Sequence, residues 1–152
     1  MKTAILLTAF LVAKSTAAPL LPDTEETPRM KEWRAMKYGM FLHFGMSTFT
    51  GNELDPGIVP STTYAPTQVD ADQWIRVAKE AGMKYAVLTS KHVAGHCLWD
   101  SKVTFRGKEF DYDVATSGNK TDVVRAFVDA CKTHGIRPGL YYCLLDFRNN
   151  SV

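Results

Sequence analysis

Two histidines follow apolar runs of this chain, at points where a buried strand would end. His43 lies near the end of the short apolar run YGMFLHFG, and His92 follows closely after the run YAVLT. If both runs are parallel strands, their carboxyl ends meet at one edge of a sheet, and the two side chains converge there. A neutral histidine supplies one hydrogen-bond donor and one acceptor, which suits the hydroxyl groups of a small polar ligand such as a sugar.

Aromatic and acidic side chains near these positions fit the same chemistry. Phe44, Trp99 and Tyr141 offer flat apolar faces against which a sugar ring can pack. Glu53 lies in the long connection after the first apolar run, and its carboxylate is available if that connection reaches the ligand. The alternative for Glu53 is an ordinary solvated loop charge, and spacing alone does not decide between the two.

A metal site is the competing interpretation of the stretch around His92. His92 and His96 are four residues apart, and Cys97 follows directly. Four-spaced histidines share a face only on a helix, whereas Gly95 interrupts this stretch at the end of a strand. Zinc also needs a third or fourth ligand, for which His43 is a candidate. We predict no metal or other cofactor, and we expect His96 to hydrogen-bond within its own loop.

Two segments have the apolar spacing and the capping residues of helices. The first, DADQWIRVAKEAG, has Asp70 as its N-cap and Gln73 three residues later, and Gly82 ends it. The second, TDVVRAFVDACKTHG, ends at Gly135. The residues predicted to form the buried faces are Trp74, Val77, Ala78 and Ala81 in the first helix, and Val124, Phe127, Val128 and Cys131 in the second.

The elements alternate in the order strand, helix, strand, helix, strand. Apolar strands joined through helices indicate an α/β fold with a parallel sheet. The helix-to-strand links are very short, whereas the strand-to-helix links are long. Long connections after strands are typical of TIM-like (β/α)8 barrels, whose active sites lie at that edge. A doubly wound sheet also binds ligands there, but no glycine-rich phosphate loop follows any strand.

The amino terminus has the parts of a secretory signal peptide. A charged start precedes the apolar residues 3–12, and small residues follow before Pro19. We assign residues 1–18 to this signal, with a buried helix as the alternative, and expect a secreted, lysosomal or periplasmic protein, depending on the host. The apolar run is too short to span a bilayer, so no membrane association is expected after cleavage. The net charge of +2, without a basic run, argues against nucleic acid as a partner.

Two further sequence features bear on modification in an exported protein. The triplets that begin at Asn119 and Asn149 match the N-glycosylation pattern, which matters only in a eukaryotic host. The three cysteines are too few for a disulfide framework, and their odd number leaves at least one unpaired within the chain. We expect these residues, Cys97, Cys131 and Cys143, to act mostly as small buried apolar groups.

Several motifs of the chain resemble those of one known enzyme family. YGMFLHFG, VDADQWIRVAKEAGMKYAVLTSKH, GHCLWDSK and GIRPGLYY are similar in order and spacing to the α-L-fucosidases of glycoside hydrolase family 29, from about Met36 to Asp146. The resemblance implies that residues 19–152 are the first three βα units of a TIM-like (β/α)8 catalytic barrel. It implies retaining hydrolysis of terminal α-L-fucose, with a fucosylated glycan or glycoside as the partner, and it leaves the oligomeric state open.

The resemblance also implies a fucose pocket at particular residues. His43 matches a histidine that precedes Phe or Trp and Gly in the family, and Glu53 matches the glutamate of its Glu-Trp motif. His92 matches the first histidine of Lys-His-His-Asp-Gly, and Tyr141 matches the first tyrosine of Gly-x-Tyr-Tyr. The chain departs from the family at Leu54, which replaces the tryptophan, and at 93–94, where Val-Ala replaces His-Asp. These departures leave the sugar preference open.

The chain carries no residue that matches the family's catalytic carboxylates. A retaining glycosidase needs a nucleophile and an acid/base roughly 5 Å apart. The resemblance places both beyond residue 152, so we assign no catalytic residue, interpret the chain as a fragment, and expect it to be inactive alone. The alternative function of a different class is a non-catalytic carbohydrate-binding or decoy protein.

Overall fold

A computed structural model of the chain describes residues 26–149. The predicted signal peptide, residues 1–18, lies outside this range, as do the last two residues of the second glycosylation triplet. Within the described range, none of the helices is long and apolar enough to cross a membrane.

The described residues form four α-helices, five strands and two short 3-10 helices. A three-stranded parallel sheet contains the long strands, and a separate two-stranded hairpin lies in the connection after the second of them. In chain order the elements are α1 (Pro28–Met36), β1 (Gly39–Leu42), α2 (Met46–Thr50), a 3-10 turn (Ser61–Thr63), α3 (Ala71–Glu80), β2 (Tyr85–Lys91), β3 (Thr104–Phe105), β4 (Lys108–Glu109), a 3-10 turn (Val114–Thr116), α4 (Val123–His134) and β5 (Arg137–Tyr142).

The main sheet has the order β1, β2, β5, with all three strands parallel. Leu42 lies opposite Leu88, and Leu88 lies opposite Leu140. The predicted parallel α/β arrangement is therefore confirmed. Because the strands are parallel, their carboxyl ends share one edge, and the long connections all leave from it. Closure into an eight-stranded barrel stays a prediction.

Helix α3 begins where the sequence predicts, but it buries a different face. The carboxylate of Asp70 accepts a hydrogen bond from the backbone N–H of Gln73 at 2.9 Å, so the predicted N-cap is confirmed. The predicted face of Trp74, Val77, Ala78 and Ala81 is wrong except at Ala78. The buried residues are Ala71, Ile75 and Ala78, whereas Trp74 is only partly buried and Val77 and Ala81 are exposed. The helix packs against α4, and this packing selects the face that is buried.

In helix α4, two of the four residues predicted to be buried are fully buried. Phe127 and Cys131 are fully buried, whereas Val124 and Val128 are only partly buried. Val123 and Ala130 complete the buried side, so the face is rotated slightly from the prediction. Gly135 ends the helix with a φ of 65°, the left-handed conformation that glycine adopts without strain.

A buried carboxylate organises the long connection after β2. Asp113 accepts hydrogen bonds from the backbone N–H groups of Ser101 at 2.9 Å, Ala115 at 3.0 Å and Thr116 at 3.3 Å. These contacts satisfy donors that neither a helix nor a strand would satisfy. The connection is therefore an ordered part of the edge where the candidate site lies.

The two faces of the main sheet are covered unequally. Ala86 and Leu88 point towards α3 and α4 and are fully buried. On the opposite side, which we call the open face, Phe41 is 62% exposed and Tyr141 is 39% exposed. A strand buried on both faces is usual in parallel sheets, so the open face is an apolar surface without a covering layer among the described residues.

Candidate functional site

The two predicted histidines and the predicted tyrosine lie together at the carboxyl edge of the sheet. The ring centroids of His43 and His92 are 4.6 Å apart, with the ring planes at 66°. The ring of Tyr141 lies 6.2 Å from that of His92. Tyr141 also contacts Phe41, at 5.9 Å between the ring centroids. The site therefore extends from the open face of the sheet, and we call these three side chains the histidine–tyrosine cluster.

Electrostatics favour an uncharged His43. Burial lowers its pKa below the ordinary value, the neighbouring His92 lowers it further, and the Glu53 carboxylate raises it. A neutral imidazole at neutral pH carries one donor and one acceptor. The Nδ1 atom of His92 is buried and has no hydrogen-bond partner among the described residues. This cluster can therefore offer hydrogen bonds to a polar ligand.

Tyr141 is part of the cluster, whereas Glu53 acts on the cluster from a neighbouring loop. A hydrogen bond with the Cys143 side chain raises the pKa of Tyr141, so its hydroxyl stays protonated. Glu53 lies on the exposed connection that follows α2, close enough for its charge to act on His43. Direct binding of a ligand by Glu53 stays a prediction, because an exposed carboxylate is equally well solvated there.

Two aromatic residues predicted to flank a sugar pack against other aromatic rings. Phe44 packs against Trp74 of α3, with 5.5 Å between the ring centroids. Trp99 packs against Tyr142, at 6.3 Å. Phe44 therefore contacts α3, and it also lines a cavity together with His43. Packing of Phe44 and Trp99 against a sugar beside Tyr141 stays a prediction.

His96 makes the loop contact expected of it. Its Nε2 atom lies 2.7 Å from the hydroxyl oxygen of Ser117, and its ring packs against Tyr64 and Tyr112. Burial lowers the pKa of His96 to about 4. Burial also raises the pKa of the neighbouring Cys97 thiol to about 12, so that thiol is not a ready metal ligand. Across residues 26–149, no group of three or more potential ligands is arranged to hold a metal ion.

The remaining predicted modification sites have local partners. The amide of Asn119 donates to the carbonyl of Pro66 at 2.8 Å, and the amide of Asn149 donates to the carboxylate of Asp146 at 3.0 Å. Glycosylation at these residues stays a prediction.

The three cysteines are unpaired within the described range; Cys97 and Cys131 are buried as expected, and Cys143 is partly exposed.

The connections after β1, β2 and β5 pack tightly against one another beside the cluster. Gly57 has a φ of 71°, and a Cβ atom added to it would lie 2.3 Å from the carbonyl oxygen of Ala94. The guanidinium of Arg148 donates to the carbonyl oxygen of Gly57 at 2.6 Å. The loop that carries Glu53 is therefore fixed against the other two loops.

We expect Gly57→Ala to destabilise the chain by about 1–3 kcal/mol more than Gly51→Ala. Both glycines have a positive φ, but the space around Gly51 is open, so that control carries the backbone strain without the steric overlap. Urea unfolding of the two purified variants measures the difference. Equal losses would show that the three loops are not packed as described.

The chain is similar to known α-L-fucosidases. The Alpha-L-fucosidase family profile matches residues 59–152. Alpha-L-fucosidase 1 of Arabidopsis thaliana is 37% identical over 131 residues, which cover 84% of this chain and 24% of the relative. A glycoside hydrolase 29 family member from an unknown rumen bacterium has a TM-score of 0.72 at 33% identity, over 79% of this chain and 21% of that one.

A third similar protein is a bacterial fucosidase solved with a monovalent iminocyclitol inhibitor. Its TM-score is 0.66 at 28% identity, over 84% of this chain and 32% of the fucosidase. The chain thus spans about a quarter of the length of these three relatives. Because the family profile covers more than half of the chain and the solved relatives share its fold, the chain belongs to the α-L-fucosidase family, glycoside hydrolase family 29.

Proposed function

We propose that this chain forms one side of the fucose pocket of a retaining α-L-fucosidase that removes terminal α-L-fucose from glycans or glycosides. The histidine–tyrosine cluster carries this proposal, because His43, His92 and Tyr141 come from three strands and meet at one edge of the sheet. Family membership supplies the substrate class. The predicted signal peptide supports this proposal, because an exported protein meets fucosylated glycans.

The cluster is suited to holding a sugar by its hydroxyl groups. His43 is exposed at this edge and can offer polar atoms to a ligand. The Nδ1 atom of His92 is buried and has no partner among the described residues, so a hydrogen bond from a sugar would satisfy it. Tyr141 adds an aromatic face on the same side. The arrangement therefore binds and orients a sugar, but it does not by itself break a glycosidic bond.

Hydrolysis requires carboxylates that the cluster does not contain. A retaining glycosidase uses two carboxyl groups roughly 5 Å apart, one as nucleophile and one as acid/base. Around the cluster, Glu53 is the carboxylate near enough to influence His43. We propose that both catalytic groups belong to residues outside these 152, as the family resemblance implies. The open face and the exposed edge strand β5 fit the first three βα units of a barrel.

The two departures from the family motif concern sugar preference. Val93 and Ala94 are buried and pack into the loops behind the cluster, so neither offers a polar group to a ligand. Leu54 is 59% exposed beside Glu53. A pocket that gives one sugar hydroxyl no hydrogen-bond partner discriminates less strongly between sugars that differ at that hydroxyl. We propose that this pocket is less selective for fucose than one that carries the full family motif.

A titration of the purified chain tests the binding half of the proposal. Addition of L-fucose or an iminocyclitol should shift the NMR signals of the His43 and His92 rings. The signals of His96 and His134 serve as internal controls, since the first is buried behind the cluster and the second is at the far end of α4. D-fucose is the matched control ligand. Unchanged His43 and His92 signals with L-fucose would contradict the proposal.

A hybrid enzyme tests the catalytic half. Residues 36–146 of this chain would replace the matching segment of the Arabidopsis relative. The hybrid should hydrolyse an aryl α-L-fucoside, whereas the 152-residue chain alone should not. Fucose binding by the chain together with an inactive, folded hybrid would favour the non-catalytic carbohydrate-binding alternative.

A further inference from the structure

The chain at the end of β2 does not alternate regularly. Thr89 pairs with Tyr141, but the next pair is Lys91 with Tyr142, so two residues of β2 advance while β5 advances by one. Ser90 is the extra residue, which defines a β-bulge. In a regular strand Lys91 would share the face of Thr89, and His92 would point the other way. Bulges next to active sites often redirect a side chain in this manner.

The side chains confirm the change of direction. The ammonium of Lys91 lies 4.9 Å from the ring centroid of Tyr142, on the side of the sheet opposite Tyr141. The ring of His92 instead meets His43 and Tyr141. Without the bulge, His92 would leave the histidine–tyrosine cluster.

A buried ion pair holds the chain in this arrangement. The Lys91 side chain is only 4% exposed, and its Nζ atom lies 3.2 Å from a carboxylate oxygen of Asp146. The same ammonium donates to the carbonyls of Cys143 at 3.0 Å and Leu145 at 3.4 Å. The hydroxyl of Ser90 donates to the carbonyl of Tyr141 at 2.9 Å. Every one of these contacts joins the bulge to the end of β5.

The carboxylate of the pair is itself held in place. Asp146 accepts hydrogen bonds from both the backbone N–H and the side-chain amide of Asn149, each at 3.0 Å. A Cβ atom at Gly95 would lie 2.7 Å from the Asp146 carboxylate, so the loop after β2 passes directly over it. Phe147 also donates its N–H to the carbonyl of Val93 at 2.7 Å. Few other positions are open to this carboxylate.

We propose that Lys91 is a positioning residue: with Asp146 it locks the bulge that turns His92 towards His43 and Tyr141. A buried ion pair adds little net stability compared with apolar packing, but it can fix a register because removal of one partner leaves a buried charge unpaired. The use of this geometry in sugar hydrolysis rests on the function proposed above. The geometric link between Lys91 and His92 does not depend on that proposed function.

The test compares Lys91→Met with Lys102→Met in the purified chain. Lys102 is a matched control, because it pairs with Asp100 at 2.7 Å but is 71% exposed. Nuclear Overhauser contacts between the His43 and His92 rings, and between the His92 and Tyr141 rings, report the cluster directly. The contact between His96 and Tyr112 reports whether the surrounding loops are folded. Lys91→Met should lose both His92 contacts and keep the His96 contact, whereas Lys102→Met should keep all three.

Retention of both His92 contacts in a folded Lys91→Met variant would overturn the proposal, as would their absence from the unaltered chain. If Lys91→Met does not fold, Asp146→Asn decides, because it removes the charge partner while keeping a similar shape. Unfolding of both variants would also overturn the proposal, since the pair would then serve the whole fold rather than His92. These contacts are measured without a sugar, so they remain interpretable if the chain does not bind fucose.

Discussion

Replacement of His92 by alanine is expected to lower kcat/KM of the hybrid enzyme for an aryl α-L-fucoside by about 100-fold, equivalent to about 2.7 kcal/mol of transition-state stabilisation. The reason is the position of His92 between His43 and Tyr141, with a buried Nδ1 atom that lacks a partner within residues 26–149. Alanine leaves the sugar hydroxyl that His92 would hold without its hydrogen-bond partner. Steady-state kinetics over a range of fucoside concentrations measures the loss.

The matched control for this prediction is His134→Ala. His134 lies at the carboxyl end of α4, where its ring bonds to Asp72 at 2.7 Å, away from the strand edge that carries the cluster. This variant should keep kcat/KM within a factor of about two, since it changes only an exposed contact. An unchanged rate in His92→Ala would remove His92 from the pocket.

Acidification is expected to destabilise the folded chain by about 2 kcal/mol between pH 7.5 and 5, through His96. Burial lowers the pKa of His96 in the fold from 6.5 to about 4. Between pH 6.5 and pH 4, His96 binds a proton in the unfolded chain but not in the folded chain. The free energy of unfolding therefore falls as the pH falls. The lowered pKa of His43 acts in the same direction.

Urea unfolding at several pH values measures this dependence. The control is His96→Gln, whose amide can still bond to Ser117 but does not titrate. This variant should be less stable at pH 7.5 and should lose most of the slope between pH 7.5 and 5. An equal slope in the two proteins would show that His96 is not held neutral in the fold.

Local sequence signals predicted the elements well and their buried faces less well. The N-cap at Asp70 and the glycine stop at Gly135 are determined by neighbouring residues, so the sequence alone was enough to identify them. The buried face of α3 depends instead on what packs against it. Ala71, Ile75 and Ala78 are buried while the bulky Trp74 is only partly buried, an arrangement that hydrophobic spacing within one helix does not reveal.

The candidate site shows the same division. The sequence predicted His43, His92 and Tyr141 from strand ends and family motifs, and the structure brings the three together. It did not predict the roles of Lys91 and Asp146, which are distant in the sequence and form a buried pair only in the fold. The β-bulge at Ser90, which this ion pair accompanies, was not predicted either, because the sequence contains no glycine or proline there to indicate a bulge.

By itself, the sequence determined the α/β class, the order of the three long strands and the two helices between them, and the family, because these follow from local capping, apolar runs and motif residues. Only the tertiary structure decided which face each helix buries, which rings Phe44 and Trp99 pack against, and which way His92 points. The physical reason is that side-chain direction at a strand end depends on pairing with the next strand. One extra residue in that pairing reverses the face, and a contact between distant residues, Lys91 and Asp146, holds it there.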